Sequence, residues 1–159
     1  MRPAIVMAAN APKMDISLRL YNGIVHIPTS YRSGFFVEDA PVESVPVEQT
    51  ERLRLAILTV IERGNPPISR AEANALVGRK DHPLLKAARA RSWYALDRQT
   101  KGLWSLADND GFYQIRVDQP MQPRGWHEDK TKRVQFSPGT PVDDVIDRLI
   151  AMIQECAQE

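Results

Sequence analysis

Apolar and polar residues alternate along two stretches of the chain and recur at helical spacing along others. Around Asn22-Gly23 the alternation is regular. This dipeptide is the preferred centre of a two-residue type I′ turn, because both positions need positive φ. Folding about it pairs Tyr21 with Ile24, Leu20 with Val25, Arg19 with His26 and Leu18 with Ile27. Opposed residues share a face. Ile16, Leu18, Leu20, Val25 and Ile27 therefore form one apolar face, and His26 falls on the other beside Arg19. No acidic or second imidazole neighbour is in reach there, so His26 reads as a surface or subunit-contact histidine. After Pro28 the chain is expected to leave strand geometry, with "TSYRSG" as a polar loop and "FFV" as the start of another extended segment. Pro41 and Pro46 exclude a central strand and leave an edge strand or extended connection.

The first helical pattern places Leu53, Ala56, Ile57, Val60 and Ile61 on one face, with Thr50 as N-cap and Gly64 as the stop. Ser69-Arg70-Ala71-Glu72 fits a capping box and predicts a short helix ending near Gly78. A further helix is predicted from Pro83 through Leu96. "GLWSLADNDGFYQIRV" is a second hairpin. With Asp108–Gly111 as its turn, Leu106 opposes Tyr113 and Trp104 opposes Ile115. "QPMQPRGWHEDKTK" reads as a long polar loop and "RVQF" as a short closing strand. In the last helix Thr140 caps, Pro141 takes the first position, and Val142, Val145, Ile146, Leu149, Ile150 and Ile153 form the apolar stripe. The expected architecture is one α+β domain over residues 15–159. Its mostly antiparallel sheet is built of hairpins, with helices near 51–63 and 141–156 packed on one face.

Composition bounds the rest. A chain of 159 residues suits one domain and can bury a self-sufficient core. Net charge +1 lacks the basic excess common in nucleic-acid binders. Cys156 is the single cysteine, so neither an internal disulfide nor a thiolate metal cage can form. That usage fits the cytoplasm. No apolar run reaches the ~18 residues of a membrane span. The leader holds Arg2, an apolar patch from Ile5 to Ala9 and an Ala9-Asn10-Ala11 triplet. The apolar patch is too short for a signal peptide. Residues 1–14 read as a disordered arm, and Met14 offers an alternative start.

The motifs that could carry chemistry fail on spacing. Asp108-Asn109-Asp110-Gly111 has the look of a calcium loop, but Leu106 and Val117 occupy the outer ligand positions where acids are required. His127-Glu128 opens like a zinc-protease motif, yet Thr131 stands where the second His belongs. His26, His82 and His127 are far apart in the chain. No G-x-S-x-G elbow and no phosphate-cradling glycine pattern occurs. No cofactor, no metal and no catalytic residue are expected, and the chain reads as a non-enzyme.

Charge is segregated along the sequence. Residues 38–48 and the last helix are acidic, while residues 70–101 carry Arg70, Arg79, Lys80, Lys86, Arg89, Arg91, Arg98 and Lys101. Complementary fields of that kind steer a charged partner. Two aromatics stand in polar surroundings, Tyr31 beside Arg32 and Trp126 beside His127, and Tyr, Trp and Arg dominate interface hot spots.

"LRLYNGIVHIPTSYRSGFF", "RSWYALDRQTKGLWSLADNDGFYQI" and "VQFSPGTPVDDVIDRLIAMIQE" together resemble immunity proteins of bacterial contact-dependent growth inhibition systems. The similarity runs from about Leu18 onward and lies in hairpins and a helix rather than in chemical signatures. Residues 70–80 and the leader before Met14 stand outside it. The resemblance implies a small, non-catalytic, cytoplasmic protein that binds the C-terminal toxin domain of a cell-surface effector, commonly a nuclease. Against a nuclease's basic cleft an acidic patch is the natural complement. The interface residues expected on this reading are Tyr31, Arg32, Glu38, Asp39, Glu43 and Trp126. The partner is then a cognate toxin domain, with no membrane and no nucleic acid. The alternative is a nucleic-acid-binding regulator using the basic helical segment 70–101, in the manner of a helix-turn-helix.

Overall fold

A computed structural model gives the fold and describes residues 5–6, 13–77, 79–121 and 125–159. Eight strands among these form one antiparallel sheet. They are β1 (Ile5–Val6), β2 (Met14–Tyr21), β3 (Ile24–Arg32), β4 (Phe35–Pro46), β5 (Thr100–Asn109), β6 (Phe112–Pro120), β7 (Trp126–Glu128) and β8 (Val134–Gln135). The order across the sheet is β1-β4-β3-β2-β5-β6-β7, and β8 also pairs with β6. Five helices complete the chain: α1 (Thr50–Arg63), α2 (Arg70–Leu76), α3 (Pro83–Ala88), α4 (Trp93–Gln99) and α5 (Val142–Ala157). The fold is the single α+β domain expected. Of the stretch read as an arm, residues 1–4 and 7–12 lie outside the described residues; Ile5–Val6 pair with Phe35–Phe36, and Met14 opens β2.

The first hairpin has the predicted register, Tyr21 opposite Ile24, Leu20 opposite Val25 and Arg19 opposite His26. Asn22 and Gly23 take φ of 52° and 74°, the conformation the turn demands. The second hairpin differs from expectation. Its turn is the two residues Asp110-Gly111, with φ of 58° and 84°, so Leu106 faces Ile115 and Trp104 faces Val117. The register moves by two positions, and with a side-chain period of two the apolar face survives.

That face is the main core. Ile16, Leu18, Leu20, Val25, Ile27, Trp104, Leu106 and Ile115 are buried under α1 and α5. Val145, Ile146, Leu149, Ile150 and Ile153 supply the α5 stripe, each burial contributing about 2 kcal/mol. Gly102 is required beneath Trp104: a Cβ there would lie 2.2 Å from the indole Cη2. Gln154 ties α5 to α1 by donating to the Val47 carbonyl at 3.0 Å and the Thr50 hydroxyl at 2.9 Å. Thr50 is thus the first residue of α1 and not its cap; Gln49 holds that position without a side-chain capping bond. Likewise Pro141 stands at the N-cap of α5, and Thr140 turns back to the Ser137 carbonyl.

Three further corrections concern the middle of the chain. β3 does not end at Pro28 but continues to Arg32. A bulge opposite the Pro28–Thr29 step, where the partner jumps from Val42 to Asp39, absorbs the proline. Ala40 and Pro41 protrude there, held by the Thr29 hydroxyl on Pro41 O at 2.8 Å and the Tyr31 hydroxyl on Ala40 O at 2.7 Å. The helix expected over Pro83–Leu96 is two helices. Arg89 adopts the left-handed conformation at the end of α3, and Ser92 starts α4 by accepting from Ala95 N at 3.1 Å. The stretch read as a loop after β6 contains β7 and a 3-10 turn, Lys130–Lys132, while residues 122–124 lie outside the described residues.

The opposite sheet face is covered in part. Leu84, Leu85, Ala88 and Leu96 of α3 and α4 pack with Tyr21 as a second apolar cluster. This cover buries His26, which is 1% exposed and not a surface histidine.

Candidate interaction surface

Many polar side chains capable of chemistry are tied into the framework. On the α3–α4 side, Arg19 is 2% exposed. Its Nη1 donates to Asp97 Oδ1 and to Thr100 Oγ1, both at 2.8 Å, and its guanidinium lies 5.9 Å from the Trp126 ring centroid. Trp126 Nε1 donates to the same Asp97 oxygen at 3.1 Å. Asp97 thereby neutralises a buried cation and fixes α4 against β2 and β7. Asp15 is nine-tenths buried and pairs with Arg116.

His26 and His82 are structural in geometry. His26 Nδ1 meets Ser44 Oγ at 2.7 Å, and Nε2 has no hydrogen-bond partner among the described residues. Burial, and then the neighbouring Arg19 cation, push its pKa down to about 4, so the ring is neutral at pH 7. His82 caps α3: Nδ1 accepts from Leu84 N at 3.1 Å, and Nε2 therefore donates to Glu38 O at 2.6 Å. Its ring meets Trp93 edge-on at 4.9 Å. His127 is exposed on β7, and the adjacent Glu128 is held below its ordinary pKa by hydrogen bonds from Arg133. Among the described residues no three His, Cys, Asp or Glu side chains gather as a metal site would require. Asp108 Oδ1 accepts from Gly111 N at 2.8 Å, so the calcium-like tetrapeptide closes the second hairpin. Cys156 is half-buried, and burial raises its thiol pKa, followed by the Glu159 charge.

One polar device was invisible in the sequence. Asn65 lies in the loop after α1 and bridges β2 and β3. Its Oδ1 accepts from Asp15 N at 2.9 Å, and its Nδ2 donates to Asp15 O and Ser30 O, each at 2.8 Å. It satisfies backbone groups beyond the three residue pairs of the β2–β3 ladder.

The six expected interface residues do not form one patch. Tyr31 and Arg32 end β3, and Glu38, Asp39 and Glu43 lie on the neighbouring β4; Trp126 sits on β7 at the far end of the strand order. Several are engaged within the fold. Asp39 pairs with Arg79 at 3.2 Å and Glu43 with Arg63 at 3.1 Å. Arg32 stands 5.2 Å over the Phe36 ring and bonds Lys13 O. On α5 the acids Asp143, Asp144, Asp147 and Glu155, and the following Glu159, are exposed beside Arg148, with Asp147 in a pair with Arg54; Glu48, Glu51, Glu62 and Glu72 are exposed elsewhere. A group of exposed bases, Lys86, Arg89, Arg91 and Arg98, lies on and between α3 and α4. There Arg91, Ser92, Tyr94, Ala95, Arg98 and Gln99 line a shallow depression of ≈ 380 Å³. Tyr94 is 58% exposed. This Arg–Tyr–Arg group was not among the expected interface residues, although Tyr94 and Arg98 stand one turn apart on α4 and Arg91 just precedes its cap.

These features define a single-domain α+β protein whose buried polar side chains hold the fold. No protein-family model matches the chain, and no curated protein matches it. Among solved structures it is similar to the Protein of Unknown Function NMB0488 from Neisseria meningitidis, with a TM-score of 0.63 at 13% identity, covering 94% of this chain and 97% of that one. At that identity the likeness speaks to the fold. No helix among the described residues is long and apolar enough to cross a membrane.

Proposed function

We propose that this protein is a cytoplasmic immunity protein that binds and neutralises the C-terminal toxin domain of a contact-dependent growth inhibition effector. It works by occupancy, not turnover. The observation that carries the reading is the assignment of polar groups: His26, His82, Asp97, Asp15 and Asn65 are each bonded into the framework, whereas charged side chains such as Asp143, Asp144, Arg91 and Arg98 are exposed on the helices. A rigid, charge-patterned surface is what specific, slowly released protein binding needs. The resemblance of the hairpins and last helix to such immunity proteins supplies the class of partner. Co-expression with the toxin domain encoded immediately upstream tests it. Cells are expected to survive with the full chain present and to die without it; death in both cases, with no complex at micromolar concentration, rejects the proposal.

A further inference from the structure

Six arginines of this molecule have acidic partners. Arg19, Arg54, Arg63, Arg79, Arg116 and Arg133 each pair with a carboxylate. The cations of the α3–α4 layer are not among them. Lys86, Arg89, Arg91 and Arg98 are exposed, and among the described residues none makes a salt bridge or a side-chain hydrogen bond. Asp97 is the single acid between Pro83 and Gln99, and its Oδ1 already serves Arg19 and Trp126. Asp81, just before α3, is within electrostatic reach of Lys86, so the cations of this surface without a carboxylate partner among the described residues are Arg89, Arg91 and Arg98. Tyr94 lines the shallow depression together with Arg91 and Arg98. Tyr94 and Arg98 are one helical turn apart, so ring and guanidinium present to the same side.

Unpaired arginines around an exposed tyrosine have the composition of a binding hot spot: rigid aromatic area with planar charged donors. The same ingredients bind nucleic acid, but two observations favour a protein. The cations are few and sit on two short helices, where affinity for a polyanion grows with the number of phosphates neutralised. The chain also has net charge +1 with an acid-studded α5, which weakens any long-range attraction for a polyanion. A carboxylate-bearing protein face matches the guanidinium forks without needing that field.

We propose that the α3–α4 face, at the depression lined by Arg91, Tyr94 and Arg98, is where this protein docks an acidic face of its partner. The partner's identity as the toxin domain rests on the function proposed above; the choice of surface does not. It replaces the acidic β4 residues as the expected contact, since Asp39 and Glu43 are already paired within the fold.

The test uses the full chain and the variants R91E/R98E, R91Q/R98Q and Y94A. Circular dichroism and thermal melting establish that each is folded, and all three alter exposed side chains. Calorimetric titration against the upstream-encoded toxin domain is run beside fluorescence titration of labelled oligothymidylate. Expected are a complex with the wild type that weakens as salt rises, and a loss of at least about 100-fold with R91E/R98E, with smaller losses for R91Q/R98Q and Y94A. If the wild type binds the toxin domain and the variants bind it equally well, the surface is wrong and the immunity reading stands. If the wild type does not bind the toxin domain, that reading falls and this proposal with it. If the variants lose oligothymidylate but keep the toxin domain, the face belongs to nucleic acid and the inference is overturned.

Discussion

His26 offers a sharp test of how the two sheet faces are built. The imidazole is 1% exposed, lies opposite Arg19 across the hairpin, and has a pKa lowered to about 4. In the unfolded chain its pKa is about 6.5. Between those values the unfolded state binds the extra proton and the folded state does not, so stability rises with pH across the window. The contribution is complete above pH ~7, falls as pH drops through 6.5, and is fully lost near pH 4. The whole effect is about 3 kcal/mol, because a tenfold change in proton affinity is worth about 1.4 kcal/mol; roughly 2 kcal/mol is gone by pH 5. The perturbation is H26Q, which keeps a polar group near Ser44 but cannot titrate. Urea unfolding of both proteins at pH 7.5, 6, 5 and 4.5 isolates the histidine, because other titrating groups are common to the two. Wild type is expected to be the more stable at pH 7.5, and its advantage should shrink by about 2 kcal/mol at pH 5. A separation that stays constant with pH, or an NMR titration placing His26 near 6.5, refutes the claim that α3 and α4 seal this face.

Three further outcomes follow from the same geometry. G102A should destabilise by about 1–3 kcal/mol in urea melts, because the buried Trp104 ring cannot yield to a Cβ. N65D should cost on the order of 3 kcal/mol despite its matching shape, since a carboxylate cannot donate to Asp15 O and Ser30 O; a melting temperature equal to wild type would remove Asn65 from its bridging role. D97A leaves the buried Arg19 cation without its carboxylate and should lower stability by roughly 3–5 kcal/mol, read by chemical denaturation.

Much of the framework was legible because its signals are local. Asn22-Gly23, the alternation on either side of it and the α5 stripe are each contained in a short window, and each appeared where expected. What sequence could not supply were contacts made at a distance. Pro28 has the look of a strand end, and only the bulge of β4 opposite it lets β3 run on. His26 looked exposed because its cover comes from α3 and α4, helices too short to show strong periodicity. The acidic character of β4 was real in composition but not in charge balance: Arg63 lies 20 residues from Glu43, and Arg79 lies 40 residues from Asp39. The same pairings explain why the candidate surface moved. A residue's type announces that it can bind, whereas its availability depends on which distant side chain reaches it first.

On the proposed function, this protein acts by holding a toxin domain. Purified chain and catalytically disarmed toxin domain, mixed in equal amounts and passed through size-exclusion chromatography with light scattering, test it most directly. The account predicts one peak at the summed mass that persists on dilution to nanomolar concentration. Two separate peaks at micromolar concentration would contradict it.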